Sequence, residues 1–336
     1  MTLLSTLLHA TNFKTPLLRT LIPSIALAYG IQAAVAIPSI AAQSERFYDL
    51  SGSLTYLSCT ALSLYLPVLR ARAASAASAG VLSAARAPQW PSLIASALNR
   101  GEAAGGFWNW RQVVLSAAVG IWATRLGSYL FLRILDDGAD SRFEEIKRSP
   151  PKFLGAFMAQ ATWVTLCALP VLTLNSLPVG TFALLPRLLP TDLLGLTLFI
   201  TGLAFEVIAD RQKAQWSKEK KEKKHSEDFL TRGLWSRSRH PNYFGEVTLW
   251  SGIAVAAGGV LISQAGQHGM GLSGGIGGRA AALAMAAVSP AFVAFLLLKV
   301  SGVPLSEEKY DKRFGGRRDY MEWKANTPVM VPKIWS

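Results

Sequence analysis

The residues best equipped for chemistry lie just before an apolar run in the C-terminal third: Arg239, His240, Pro241, Asn242, Tyr243, Phe244, Gly245 and Glu246. Pro241 has a fixed φ that suits the first turn of a helix. Asn242, Tyr243 and Glu246 would then stand at a helix N-terminus, where free N–H groups favour anionic ligands. Arg239 adds a guanidinium fork that matches a phosphate. The same pattern also suits a plain helix start with an interfacial tyrosine and a snorkelling arginine. Upstream, Glu206, Asp210 and Lys213 fall at i, i+4 and i+7, on one helical face. Acids where a span leaves the membrane oppose the helix dipole unless paired, and ionisable groups at membrane depth face a bundle interior. Glu206 and Asp210 are therefore site candidates, or else one half of a salt-bridge lock. Trp122, Arg125, Tyr129 and Arg133 share another face. Arg125 at mid-helix costs about 2.5 to 3.5 kcal/mol on insertion scales, so it needs an acid or an anion, and Glu206 is the expected partner.

Several chemistries have no residues to carry them. Cys59 and Cys167 each sit inside an apolar run, so neither a disulfide framework nor a thiolate metal site is expected. His9, His225, His240 and His268 lack metal-ligand spacing with a second His or Cys, so no metal is expected. Gly269, Gly271 and Gly274 have a literal G-x-G-x-x-G spacing, but no strand precedes them to make a dinucleotide fold. The basic run from Lys218 to Lys224 is interleaved with Glu219 and Glu222 and holds no aromatic residue, Trp216 lying just before it. It reads as a solvated helix near anionic lipid headgroups, not as a nucleic-acid site.

The elements that must position these groups are membrane spans. Apolar residues make up 51% of the chain and charged residues only 16%, against nearer a quarter charged in soluble proteins. About twenty apolar residues cross the hydrocarbon. Such runs occur at 19–42, 50–69, 112–133, 153–177, 190–209, 246–263 and 279–300, which predicts an all-α polytopic transmembrane bundle of about seven spans. The +13 net charge then follows from the positive-inside rule. Ten Lys or Arg between Arg211 and Arg239, and seven after Ser301, direct both segments and the C-terminus to the cytosol. The stretch from Arg70 to Arg111, with five arginines, would face the other side. Residues 71–106, rich in Ala, Ser and Gly, and the glycine-dominated 263–279 read as mobile loops. In the tail, Ser306 is expected to cap a short helix carrying Glu307, Glu308, Tyr310 and Arg313, with Gly315 as its stop.

R-H-P-N-Y-F-G-E followed by an apolar span resembles the signature of the steroid 5-alpha-reductase C-terminal-domain family. Further stretches agree in order: W-A-T-R-L-G-S-Y-L-F-L-R (122–133), D-S-R-F (140–143), F-E-V-I-A-D-R-Q (205–212), S-G-V-P-L-S-E-E-K-Y (301–310) and T-P-V-M-V-P (327–332). Together they resemble the poorly characterised fungal and bacterial branch of that family over about residues 110–336. The R-H-P-x-Y element also occurs in sterol reductases and isoprenylcysteine carboxyl methyltransferases.

The resemblance implies an integral reductase of the endoplasmic reticulum or a similar membrane, with residues 1–110 on the substrate side and 111–336 enclosing a cytosol-facing NADPH cavity. Asp210, Lys213, Arg239, His240, Asn242, Tyr243, Glu246, Tyr310 and Arg313 are the implied cofactor residues, with Arg211 as a further source of charge and Tyr320 as a further contact from the tail. Hydride would pass to an electron-poor C=C carbon of a steroid- or enone-like lipid. Residues 1–110 hold no match to the acid and tyrosine that steroid 5-alpha-reductases turn towards the steroid. Tyr129 and Glu206 are therefore the catalytic candidates, with Tyr56 and Tyr65 as other possible donors. Two alternatives stand beside this: an S-adenosylmethionine-dependent lipid or isoprenylcysteine-type methyltransferase, and a non-catalytic membrane scaffold or lipid-binding protein.

Overall fold

The computed structural model describes residues 3–78, 89–98, 106–138 and 140–333, and among them it contains helices and no strand. Seven helices are long and apolar enough to cross a membrane, and they coincide with the seven expected runs. The chain is a multi-pass membrane protein. It divides into two compact units, one of residues 1–189 with 257–288, the other of 190–256 with 289–336.

The first unit contains α1 (Leu3–Ala10), α2 (Pro16–Ala41), α3 (Tyr48–Ser78), α4 (Leu93–Ala97), α5 (Trp110–Asp137), α6 (Pro150–Asn175) and α7 (Val179–Ala183). Hydrocarbon outside offers helices no hydrophobic drive to associate, so polar side chains and close packing must hold them. Gln32 Nε2 donates to Thr55 Oγ1 at 2.8 Å, tying α2 to α3. Gln160 Nε2 on α6 donates to the Tyr48 carbonyl at 2.9 Å and to Ser51 Oγ at 3.1 Å. It fits because residue 52 is glycine: a Cβ there would lie 2.7 Å from that amide nitrogen. Asn175 Nδ2 reaches Ser63 Oγ at 2.9 Å and Ser116 Oγ at 3.0 Å, joining α6 to α3 and α5. Tyr56 stands edge-on to both Trp122 and Trp163, at 5.1 and 5.3 Å between centroids.

The D-S-R-F stretch serves this unit's packing. Asp140 accepts two bonds from Arg142 Nε and Nη2, Arg133 lies 3.5 Å from the same carboxylate, and Phe143 is buried beside Phe153 and Phe157. Burial pushes the Glu45 carboxyl up, but the Asp140 N–H and the Lys147 ammonium at 3.0 Å outweigh it and hold the acid below its usual range. Of the face formed by Trp122, Arg125, Tyr129 and Arg133, Trp122 is in the core and Arg133 is paired at the helix end. Arg125 and Tyr129 are half-buried in this unit.

The second unit is built on α8 (Pro190–Lys221) and α9, which starts at Pro241 as expected and runs to Leu261. They pack antiparallel through two glycine pairs. A Cβ on Gly202 would fall 2.5 Å from Leu249 N and 2.7 Å from Gly245 O, and one on Gly252 would fall 2.5 Å from Gly195 O. Gly245 of the R-H-P-N-Y-F-G-E stretch is thus a contact glycine, its position 2.6 Å from the Glu206 backbone nitrogen once a Cβ is added.

Four expectations are corrected, the last of them in the tail. The fifth span does not end at residue 209: no Gly or Pro interrupts residues 203–232, and good helix formers carry α8 on to Lys221. Glu206 and Asp210 therefore sit well inside the helix, and the C-terminal dipole argument does not apply to them. Residues 263–279 are not a featureless loop. Ser263 caps α10 (Gln264–Met270), Gly266 and Gly269 sit inside it against Val260 and Thr181, and Gly271 ends it in the left-handed region at φ 85°. Likewise α3 continues to Ser78 and α4 occupies 93–97, while 79–88 and 99–105 lie outside the described residues.

The seventh span, α11 (Ile276–Phe295), passes through a π-helical turn at Leu296–Val300 and leads to α12 (Val303–Phe314) and α13 (Arg318–Asn326). Ser306 does not cap α12. Gly302 precedes the helix and Pro304 takes its first turn, because a side chain at 302 would lie 2.5 Å from the Leu297 carbonyl. Gly315 does close it, as expected.

Candidate functional site

Two signature segments meet backbone to backbone in the second unit. The Arg239 N–H donates to the Pro328 carbonyl at 2.9 Å, Lys333 N–H to the Arg237 carbonyl at 3.0 Å, and Ser238 Oγ to the Met330 carbonyl at 2.8 Å. The start of α9 and the T-P-V-M-V-P tail are thereby locked side by side. The loop after α8 is fastened just as firmly. Gly233, at φ 64°, makes a turn that lets Leu234 N–H donate to Gln212 Oε1 at 2.9 Å, and Trp235 Nε1 donates to the Ala209 carbonyl at 3.0 Å.

These segments enclose a cavity of about 580 Å³, counted to its open mouth. Six of its walls are aromatic rings: Trp216 on α8, Phe229 and Trp235 on the following loop, Tyr310 on α12, and Tyr320 and Trp323 on α13. Phe229 packs edge-on to Tyr320 at 5.3 Å and tilted to Trp323 at 5.4 Å. Among them stand Lys213 and Arg239, one carboxylate, Glu307, and the His240 ring.

Glu307 is the hub. Arg239 Nη1 lies 3.1 Å from its carboxylate, His240 Nε2 3.3 Å and Lys324 Nζ 3.3 Å. Lys324 also bonds Asp311 at 2.6 Å, and Tyr320 OH donates to that acid at 2.8 Å. Burial pushes the His240 imidazole down to about 4, against the opposing pull of Glu307 and with help from Lys213 and Arg239. It is neutral at physiological pH and donates from Nε2 to Glu307. Tyr243 lies flat on it, 5.1 Å between centroids and 3° between planes. Burial and the Asp311 hydrogen bond push the Tyr320 phenol up, so it stays a donor.

Of the residues singled out from sequence, Lys213, Arg239, His240, Tyr310 and Tyr320 line this cavity, and Tyr243 backs it through His240. Asn242 and Glu246 sit half-buried on α9 outside its lining, with the Asn242 Oδ1 buried and without a hydrogen-bond partner among the described residues. Glu206 and Asp210 are buried on α8 but are not in the lining. Arg313 is exposed, its guanidinium over the Phe314 ring at 5.0 Å. Tyr129 belongs to the first unit. Sequence reading missed Phe229, Trp235 and Trp323 and left Trp216 with the basic run. The available signal was these four large aromatics in otherwise charged, water-facing segments, where rings without a partner are costly.

The model of a family described as proteins of unknown function, DUF1295, matches residues 89–267 and 275–327, well over half the chain. That family is associated with steroid 5-alpha-reductase-like membrane proteins. No curated protein and no solved structure matches the chain.

Proposed function

The chain belongs to the DUF1295 family, and on that premise we propose that it is a membrane-embedded reductase that uses NADPH to reduce a carbon–carbon double bond in a lipophilic, enone- or steroid-like substrate. The observation that carries this reading is the composition of the cavity in the second unit: flat aromatic walls, the cations Lys213 and Arg239, and the carboxylate of Glu307 on a neutral imidazole. Rings of this kind suit a nicotinamide or adenine face, cations suit phosphates, and a carboxylate accepts from ribose hydroxyls. NADPH would supply the hydride. Lys213 and Arg239 would hold its phosphates, Tyr310 and Trp216 would face a ring, and His240, held by Glu307 and Tyr243, would offer Nδ1 as an acceptor. Tyr129 and Glu206 are the proton-handling groups that this reading puts to the test, as are Asp210, Asn242, Glu246 and Arg313, which stand outside the cavity lining, as cofactor contacts. The lysine- and arginine-rich segments support a cytosolic cavity, and the endoplasmic reticulum is the proposed membrane.

One feature favours a second reading. A carboxylate ringed by aromatic side chains also suits a cationic ligand, and the sulfonium of S-adenosylmethionine is one. The deciding assay reconstitutes the protein in proteoliposomes with a panel of enone lipids and follows NADPH oxidation, NADH oxidation and methyl transfer from S-adenosylmethionine. Substrate-dependent NADPH oxidation is expected, reduced at least about tenfold in Lys213→Ala with Arg239→Ala, since each charge-assisted contact contributes roughly 1.5 to 3 kcal/mol. Methyl transfer without NADPH oxidation would replace the reductase by a methyltransferase.

A further inference from the structure

The two ends of the first unit treat their cations differently. At the end where α2 leads into α3 and α5 into α6, acids meet them: Lys147 Nζ lies 3.0 Å from Glu45, and Arg142 and Arg133 lie 2.6 and 3.5 Å from Asp140. At the other end, where α1 joins α2 and α3 finishes, the chain supplies none, because residues 1–44 and 50–101 contain no Asp or Glu. Arg70, near the end of α3, spends its guanidinium on uncharged oxygens. Its Nη1 donates to the Leu8 carbonyl at 2.7 Å, and its Nη2 reaches the Thr11 carbonyl and Thr11 Oγ1 at 2.9 Å and the Arg19 carbonyl at 3.2 Å. Arg19 Nε donates in turn to the Phe13 carbonyl. Two arginines thus grip one short link between α1 and α2, and Lys14 stands exposed on it.

Carbonyls orient a guanidinium but cancel none of its charge. Arg19 and Arg70, joined through the Arg19 carbonyl, therefore repel each other, and an anion beside them would offset that repulsion. Arg19 is placed to bind one. It is half-buried, and neither of its Nη groups has an acceptor among the described residues, so a planar fork matched to phosphate is left open. The same helix supplies what a free inorganic anion would not use. Leu18 is 41% exposed and Ile22 is 37% exposed, either side of Arg19 in sequence. Ile22 lies about 4.5 Å further into the span that begins at Pro16, at 1.5 Å per residue. A cation at the rim with exposed aliphatic side chains beside and below it has the layout of a headgroup over acyl chains. Under the orientation expected from residues 211–239 this end faces away from the cytosol, and the positive-inside rule then gives no reason for its cations.

We propose that this end of the first unit binds one anionic phospholipid, its phosphate held by Arg19 and Lys14, its acyl chains along Leu18 and Ile22, and Arg70 bracing the backbone that carries them. The site stands whether or not the second unit binds NADPH. The test exposes the detergent-purified full chain to a photoactivatable phosphatidylglycerol, with three competitors: unlabelled phosphatidylglycerol, phosphatidylcholine, which carries the same phosphate without net charge, and inorganic phosphate. Saturable labelling of peptides containing residues 11–22 is expected, displaced by phosphatidylglycerol and not by equal amounts of the other two. Arg19→Gln should weaken it about fivefold, and Lys14→Gln with Arg19→Gln about twenty-fivefold, from the contribution of each cation near anionic lipid. Arg19→Lys keeps the charge and should retain most of the labelling, which separates charge from any disturbance of the α1–α2 link. Lys218→Gln with Lys221→Gln, in the basic run of the second unit, should leave it unchanged. Equal displacement by phosphatidylcholine, displacement by inorganic phosphate, unchanged labelling in Lys14→Gln with Arg19→Gln, or a loss in Arg19→Lys as large as in Arg19→Gln would each overturn the proposal.

Discussion

Glu307 holds three cationic or donor groups, Arg239 and His240 before α9 and Lys324 on α13, so its replacement is the most informative single change in the second unit. Glu307→Ala would leave Arg239, which is mostly buried, facing Lys324 without a counter-charge. A loss of roughly 3 kcal/mol is expected, within the range for breaking a partly buried pair; Glu307→Gln, which keeps the hydrogen bonds but not the charge, should cost less. Chemical denaturation in detergent micelles measures both, and equal stability of the alanine variant and the parent would remove Glu307 from its central place. His240 gives the pH dependence. Its folded value near 4 lies below the ordinary 6.5, so the unfolded chain binds this proton first. Stability from this group is therefore complete above about pH 6.5 and is lost as pH falls towards 4, by at most about 3 kcal/mol. His240→Gln should flatten the pH slope of the melting temperature in that window; an unchanged slope would assign it to other groups.

At the scale of elements, the α8–α9 crossing is set by glycine backbone contacts. Gly202→Val would drive a β-branched side chain into the backbone of Leu249 and Gly245, and a loss of more than about 3 kcal/mol, or failure to fold, is expected. Gly155→Ala on α6 is the matched control, because nothing lies within 4 Å of its added Cβ, and it should be neutral or stabilising by up to about 1 kcal/mol. Thermal unfolding of the two variants side by side checks this; similar melting of both would show that the helices separate easily. The elements were largely readable in advance because spans are runs of apolar residues and Pro241 fixes a helix start. Their ends were less readable. Membrane hydropathy stops at residue 209 but helix propensity does not, so α8 outran its apolar part by three turns. The glycines of α10 looked like chain flexibility and prove to be close contacts, which no periodicity reveals.

Across the whole molecule, the site was only half legible. Arg239 and His240 drew notice because they are adjacent in sequence and chemically dense. Trp216, Phe229, Trp235 and Trp323 come from three separate segments and gain meaning only when the chain folds. Neither hydropathy nor spacing brings them together. The aromatic cavity also offers the most direct test of the central claim, because Trp216, Trp235 and Trp323 are built into its wall. The measurement is a titration of the detergent-purified protein with NADPH, followed by intrinsic tryptophan fluorescence and by thermal unfolding. Saturable quenching is predicted, together with a stabilisation of about 2.7 kcal/mol at a hundredfold excess over Kd, both lost in Lys213→Ala with Arg239→Ala. A protein whose fluorescence and melting stay unchanged at millimolar NADPH would contradict the reductase reading.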